Sequence, residues 1–147
     1  MVKIFRYKIL VPHKTIIAYY QGEINVQDLI EFKVLMSNDP DYDPAYNLIL
    51  DFRKCRMNFG QEGVLEYIEF VKNNDKIRVA RNTLFLTDRP NEVALTILFD
   101  FLKGQLPLKT AVFTTVEALL KWLFGSFENN TYVHNEINEL TKVKQVD

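Results

Sequence analysis

The chain has 147 residues, 48% of them hydrophobic and 25% charged, with 18 Lys and Arg against 19 Asp and Glu, two His, one Cys and two Ser. A chain of that length and balance makes one soluble globular domain, burying roughly 70% of its unfolded surface, so its core needs no disulfide or metal. The lone Cys55 excludes an internal disulfide framework, and a net charge of -1 lacks the basic excess that draws a protein to nucleic acid.

Ile4 to Val11 and Thr15 to Gln21 alternate apolar and polar residues around Pro12-His13-Lys14, which predicts two strands joined as a hairpin. Lys3, Arg6 and Lys8 break up any apolar run of the signal-peptide kind. Asn25 opens a helix predicted over Val26 to Met36, with Val26, Leu29, Ile30, Phe32 and Met36 facing broadly one way. Asp28 stands in its first turn, where a helix N-terminus favours negative charge. Pro40 and Pro44 make Ser37 to Tyr46 a loop. Its Asp39, Asp41 and Asp43 have the spacing of a calcium loop, but Pro44 stands where Gly is required and Leu50 where Glu is, so a solvated acidic loop is expected.

Leu48-Ile49-Leu50 is an unbroken apolar run, as expected of a strand buried on both faces, and Asp51-Phe52-Arg53 carries it to an end. Gln61 to Lys72 is the cleanest amphipathic helix, with Val64, Tyr67, Ile68 and Val71 opposite Glu62, Glu66 and Glu69. A strand over Val79 to Thr87, a helix over Pro90 to Lys103, a strand over Thr110 to Phe113 and a helix over Thr115 to Phe124 follow. Thr114 and Glu117 form a capping box for the last helix, and Gly125 ends it. Val93 to Leu102, the most hydrophobic stretch, contains Asp100 and is half the ~20 residues that span a bilayer. The chain is thus not expected to be membrane-integral, and the cytoplasm is its expected location. There the glycosylation acceptor pattern Asn129-Asn130-Thr131 has no use. Residues 1–125 are read as the domain and 126–147 as a polar tail that packs on it or is partly disordered, with Ile137, Leu140 and Val143 as one weak helical stripe.

The opening hairpin and the alternation after it predict an α/β fold with four helices on a mixed five-stranded sheet, its later strands mostly parallel. In that order, three segments carry a family likeness: Gln21-Gly22-Glu23-Ile24 leading into Val26 to Met36, Leu48 to Arg53, and Ala111-Val112-Phe113 with Ala118-Leu119-Leu120-Lys121-Trp122-Leu123. They resemble the STAS-like family, the fold of anti-sigma factor antagonists and of domains attached to sulphate transporters. The closing strand and the helix ending in Trp-Leu are most similar to the branch likened to Sec14-type lipid-binding domains. Phospho-switched members place a Ser or Thr at the N-terminus of the second helix. Here that segment reads Lys54-Cys55-Arg56-Met57-Asn58-Phe59-Gly60-Gln61, without a hydroxyl, so the switch does not carry over and Asn58 or Gln61 is left to cap the helix.

Chemistry-bearing residues are sparse. Ser37 and Ser126 lie in loops without a nucleophile-elbow pattern, Cys55 has no neighbour that marks a nucleophile, and His13 and His134 fall in a turn and in the tail. No catalytic residue, cofactor or metal is therefore assigned, and the chain is read as not an enzyme. Ligands of open parallel sheets gather beyond the carboxyl ends of the strands. Asp51 and Arg53 follow one such strand and Thr87, Asp88 and Arg89 the next, which would put Arg53 and Arg89 on one crevice suited to an anion. The competing reading is that Asp51 and Asp88 pair with these arginines and cap helices.

In the third helix Glu92, Thr96, Asp100 and Lys103 span an arc of about 80° at roughly 100° per residue, and apolar residues fill the rest. One sheet-packed stripe needs less, so neighbouring helices, the tail, a second copy of the chain or an apolar ligand must cover Leu95, Phe99, Phe101 and Leu102. Two functions stay open: a non-enzymatic interaction or regulatory module with a protein partner or as a homodimer, and a small-molecule carrier or sensor for a lipid-like or anionic ligand.

Overall fold

The computed structural model of the chain describes residues 2–126 and 130–142. A hairpin of β1 (Ile4–Leu10) and β2 (Thr15–Ile24) is followed by α1 (Val26–Ser37), β3 (Asn47–Met57), α2 (Gln61–Lys72), β4 (Arg81–Leu86), α3 (Pro90–Leu102), β5 (Leu108–Phe113), α4 (Val116–Phe124) and α5 (Thr131–Thr141). The fold is α/β, as expected. Its sheet runs β1-β2-β3-β4-β5, with β1 antiparallel to β2 and every later pair parallel. When strand order equals chain order, successive crossovers of one hand leave their helices on one face. Accordingly α1, α2 and α3 share one core with Tyr20, Leu50, Phe52 and Phe85 of the sheet. The alternate residues Ile17, Ile49, Leu84 and Leu86 point to the other face, where α4 and α5 lie.

β3 is longer than its sequence pattern indicates. Tyr19 pairs with Asp51 but Gln21 pairs with Lys54, so one residue of β2 faces two of β3 and a bulge forms at Phe52-Arg53. The extra residue shifts the alternation by one. Cys55 and Met57 therefore join Leu50 and Phe52 in the first core, while Lys54 and Arg56 stay exposed. A pattern that slips in mid-strand reads as a strand end, which is why Lys54 to Met57 is not apparent from periodicity.

The helix starts differ in how they are capped. Asn25 accepts from the Asp28 N–H at 2.8 Å and its own N–H donates to Asp28 Oδ2 at 2.9 Å, closing a box at α1. At α4 the expected Thr114/Glu117 box gives way to Thr115, whose hydroxyl accepts from the Ala118 N–H at 3.2 Å. The helix starts one residue later than expected because the Thr115 oxygen already satisfies that orphan donor. Neither Asn58 nor Gln61 caps α2, which starts from Gly60 without a side-chain cap, and Asn58 Nδ2 reaches Glu23 instead at 3.4 Å.

Gly125 takes the left-handed conformation at φ 85° and stops α4, as expected of a helix-ending glycine. Beyond it stands a fifth helix in addition to the four predicted. Val133 and Ile137 of α5 are buried in the second core, and Leu140 packs at its rim. Arg6 Nη1 donates to the carbonyls of Leu140 and Lys142 at 2.8 and 2.7 Å, and Lys8 pairs with Glu136 at 2.6 Å. Val143 and Asn129 lie outside the described residues. Among the described residues no helix is long and apolar enough to cross a membrane.

Candidate functional site

The bulge in β3 decides the fate of the anticipated arginine crevice. It turns Arg53 back on Asp51, which accepts from the Arg53 backbone N–H at 3.1 Å, from Nε at 2.9 Å and from Nη2 at 2.8 Å. Asp51 is buried, so this two-pronged pair is the partner its charge requires. Thr87 is buried, its N–H donates to the Phe113 carbonyl at 3.0 Å, and its hydroxyl accepts from the Arg89 N–H at 3.4 Å. Asp88 is exposed and caps nothing; α3 starts from Arg89 without a side-chain cap. Arg89 Nε lies 3.6 Å from Glu92. The polar cleft beyond the strand ends is lined by Arg56 and Arg89 with Glu23, Asn58, Asn91 and Glu92, and Arg53 is not among its walls. The structure thus commits Arg53 to an intramolecular pair. Replacing Arg53 by Gln should lower stability by about 2 kcal/mol, because the buried Asp51 carboxylate loses its charged donors; an unchanged urea midpoint would show that the pair contributes nothing.

The third helix is turned in a way its polar arc does not suggest. Glu92 and Thr96 face inward and are buried beside Leu95 and Phe99, whereas Ile97 and Phe101 are 57% and 81% exposed. Glu92 has a specific task there. β3 outruns β4, so the Met57 N–H has no strand partner, and Glu92 Oε2 accepts from it at 3.0 Å and from Asn91 Nδ2 at 2.7 Å. Thr96 satisfies its hydroxyl on the Val93 carbonyl at 2.8 Å. Of the residues expected to need a cover, Leu95 and Phe99 belong to the first core, Leu102 packs at its edge and Phe101 stands free. The described part of the tail, α5, packs on the opposite face of the sheet and does not cover them.

Between the sheet and the layer of α1, α2 and α3 lies a partly open cavity of about 60 Å³. At roughly 10–15 Å³ per water-sized sphere, that is space for about four to six. Tyr20, Phe52 and Phe85 of the sheet and Leu29, Val64, Tyr67 and Phe99 of the helices make most of its wall. Lys33, Arg81, Thr83 and Thr96 bring polar side chains to it, with the hydroxyl-bearing Tyr20 and Tyr67, and among the described residues none that lines it is acidic. Lys33 is 3% exposed. Burial pushes its ammonium well below the usual lysine range, and the charge of Arg81 adds to the effect. Arg81 Nε donates to the Tyr46 carbonyl at 2.9 Å and Nη1 to the Tyr42 hydroxyl at 2.8 Å. Its Nη2 and the Thr83 hydroxyl are buried and have no hydrogen-bond partner among the described residues. Arg81 and Thr83 start β4, so the polar end of the cavity lies at the amino ends of the parallel strands, opposite the anticipated crevice.

Of these residues the sequence marks only one. Lys33 sits inside the apolar stripe of α1, one turn after Leu29 and one before Met36, and a lysine at that spacing is the signal that was legible. Arg81 carries no comparable mark. The Cys55 thiol, by contrast, is buried and inert: it donates to the Phe52 carbonyl at 3.4 Å, and burial pushes it up to about 12.

No family model matches this chain, and no curated protein matches it. Among solved structures it is similar to an uncharacterized protein of the DUF3478 family with a SpoIIAA-like fold from Shewanella loihica PV-4, at 10% sequence identity and a TM-score of 0.57. The match covers 84% of this chain and 96% of that one. At that identity the likeness shows the fold, and it is the STAS-like fold that the sequence resembles.

Proposed function

We propose that this domain is a non-enzymatic carrier or sensor that holds a small, mainly apolar molecule between its sheet and the layer of α1, α2 and α3. The observation that carries the reading is the cavity between sheet and helices with its aromatic and aliphatic wall. Concave, apolar sites with a few polar groups are where small molecules bind. The buried thiol of Cys55 and the engagement of Ser37 Oγ on the Val34 carbonyl at 2.8 Å support a role without nucleophilic chemistry. The same absence of a phosphorylatable hydroxyl from Lys54 to Gln61 favours control by a ligand over control by a kinase.

Native mass spectrometry of protein purified from its own host, with a thermal-shift screen of small hydrophobic compounds, tests this. A ligand present at 100 times its Kd adds about 2.7 kcal/mol to stability, enough to move the midpoint by several degrees. A chain that carries no small molecule and shifts with none sinks the proposal. One observation favours a second reading, a protein-interaction module: the outward Ile97 and Phe101 of α3, one turn apart. Under that reading, replacing both by Ser abolishes a partner complex and leaves the cavity's ligand response intact.

A further inference from the structure

We infer that the polar end of the cavity is a binding site for the head of a short apolar carboxylic acid, held by Lys33, Arg81 and Thr83. This rests on the reading of the cavity as a ligand site and adds the chemistry of the ligand. Three independent side chains, each more than nine-tenths buried, line this one cavity. Arg81 is fixed in place by Tyr46 and Tyr42, with its guanidinium 5.5 Å from the centre of the Tyr42 ring. That arrangement spends Nε and Nη1 and leaves the Nη2 donors aimed elsewhere. The Thr83 hydroxyl is likewise without a partner among the described residues. Lys33 adds up to three further donors. Buried polar groups are normally satisfied, and a buried cation normally has a carboxylate beside it. Among the described residues none that lines this cavity is acidic.

What is missing from the wall is therefore an anion, and the dimensions of the cavity narrow its class. A carboxylate takes about three heavy atoms and offers about four acceptor positions, leaving the remaining space to carbon against Phe52, Phe85 and Phe99. A phosphate group would occupy nearly all of a space for about four to six water-sized spheres, setting its outer oxygens against aromatic rings. A neutral alcohol of the same length would leave both cations unpaired.

The experiment titrates the full chain with the short straight-chain acids from acetate to butanoate, which the size of the cavity admits, with the alcohols of the same lengths and with the corresponding alkyl phosphates, followed by amide NMR shifts and thermal midpoints. The expected result is binding of one or more acids at least about ten-fold tighter than the matching alcohol. Lys33→Met should remove that preference while leaving alcohol binding in place, and Thr83→Val, which keeps the shape, should reduce it several-fold. Alcohols that bind as well as acids, or an acid preference that survives Lys33→Met, overturn the inference but leave the cavity a ligand site. Tighter binding of the phosphates overturns the carboxylate assignment. Failure of all three series to bind removes the inference and the proposed function together.

Discussion

A chain ended at Gly125 should be largely unfolded, or should lose most of its stability. Such a chain lacks α5, whose Val133 and Ile137 are fully buried among Ile17, Ile49, Leu119 and Leu120. Burying a Val or Ile side chain contributes about 1.5–3 kcal/mol, so these two alone supply about 3–6. Leu140 and the grip of Arg6 on the carbonyls of Leu140 and Lys142 add to that. The exposed pair Lys8–Glu136 adds little. The whole stability of a domain this size is about 7–15 kcal/mol, so the loss is a large share of it. Removal of α5 also bares an apolar face of β2, which the rest of the chain has nothing to cover. The expected signs are binding of a hydrophobic dye and loss of a cooperative urea transition, with Ile137→Ala in the full chain costing about 3 kcal/mol. A truncated chain with the parent's urea midpoint would show that α5 contributes no core.

The sequence made α5 hard to see for a physical reason. Its apolar stripe is Val133, Ile137 and Leu140 within a run otherwise polar, and only a neighbouring surface makes three such residues decisive. The rest of the architecture was legible because local signals agreed with the fold: alternation in the hairpin, the Asn25 cap, the amphipathic Gln61 to Lys72 and the alternation of strands and helices that dictates parallel pairing. Where reading failed, tertiary demands opposed the local pattern. Glu92 and Thr96 look like a solvent face, but the unpaired Met57 N–H at the overhanging end of β3 needs an acceptor, and Glu92 turns the helix inward to supply it. For Arg53 the sequence leaves two readings, a ligand group beyond a strand or a partner of Asp51, and the bulge folds it onto Asp51. The candidate site leaves one mark in the periodicity, Lys33 within an apolar stripe, and the meaning of that mark depends on what the lysine meets across the layer.

Lys33→Met should make the protein more stable, by about 2–4 kcal/mol at neutral pH. Met follows the path of the lysine stem and fills the same wall, without the cost of placing a charge away from water and without an acid to offset it. The pH dependence fixes the sign. Burial lowers the folded-state affinity of Lys33 for its proton below the ordinary lysine value of 10.5. Between that lowered value and 10.5 the unfolded chain binds more protons than the folded one, so stability rises with pH across this window. Below the window the full cost is present; above it the cost has vanished. The gain from Lys33→Met should therefore be largest below that window and shrink as pH climbs through it toward 10.5, where the urea midpoints of parent and variant converge. A variant that is destabilised at neutral pH would mean that the ammonium has a partner in the folded chain, and the anion site would then be part of the core. A protein that keeps a costly lysine in an apolar wall, when methionine would serve the fold better, trades stability for what that lysine binds.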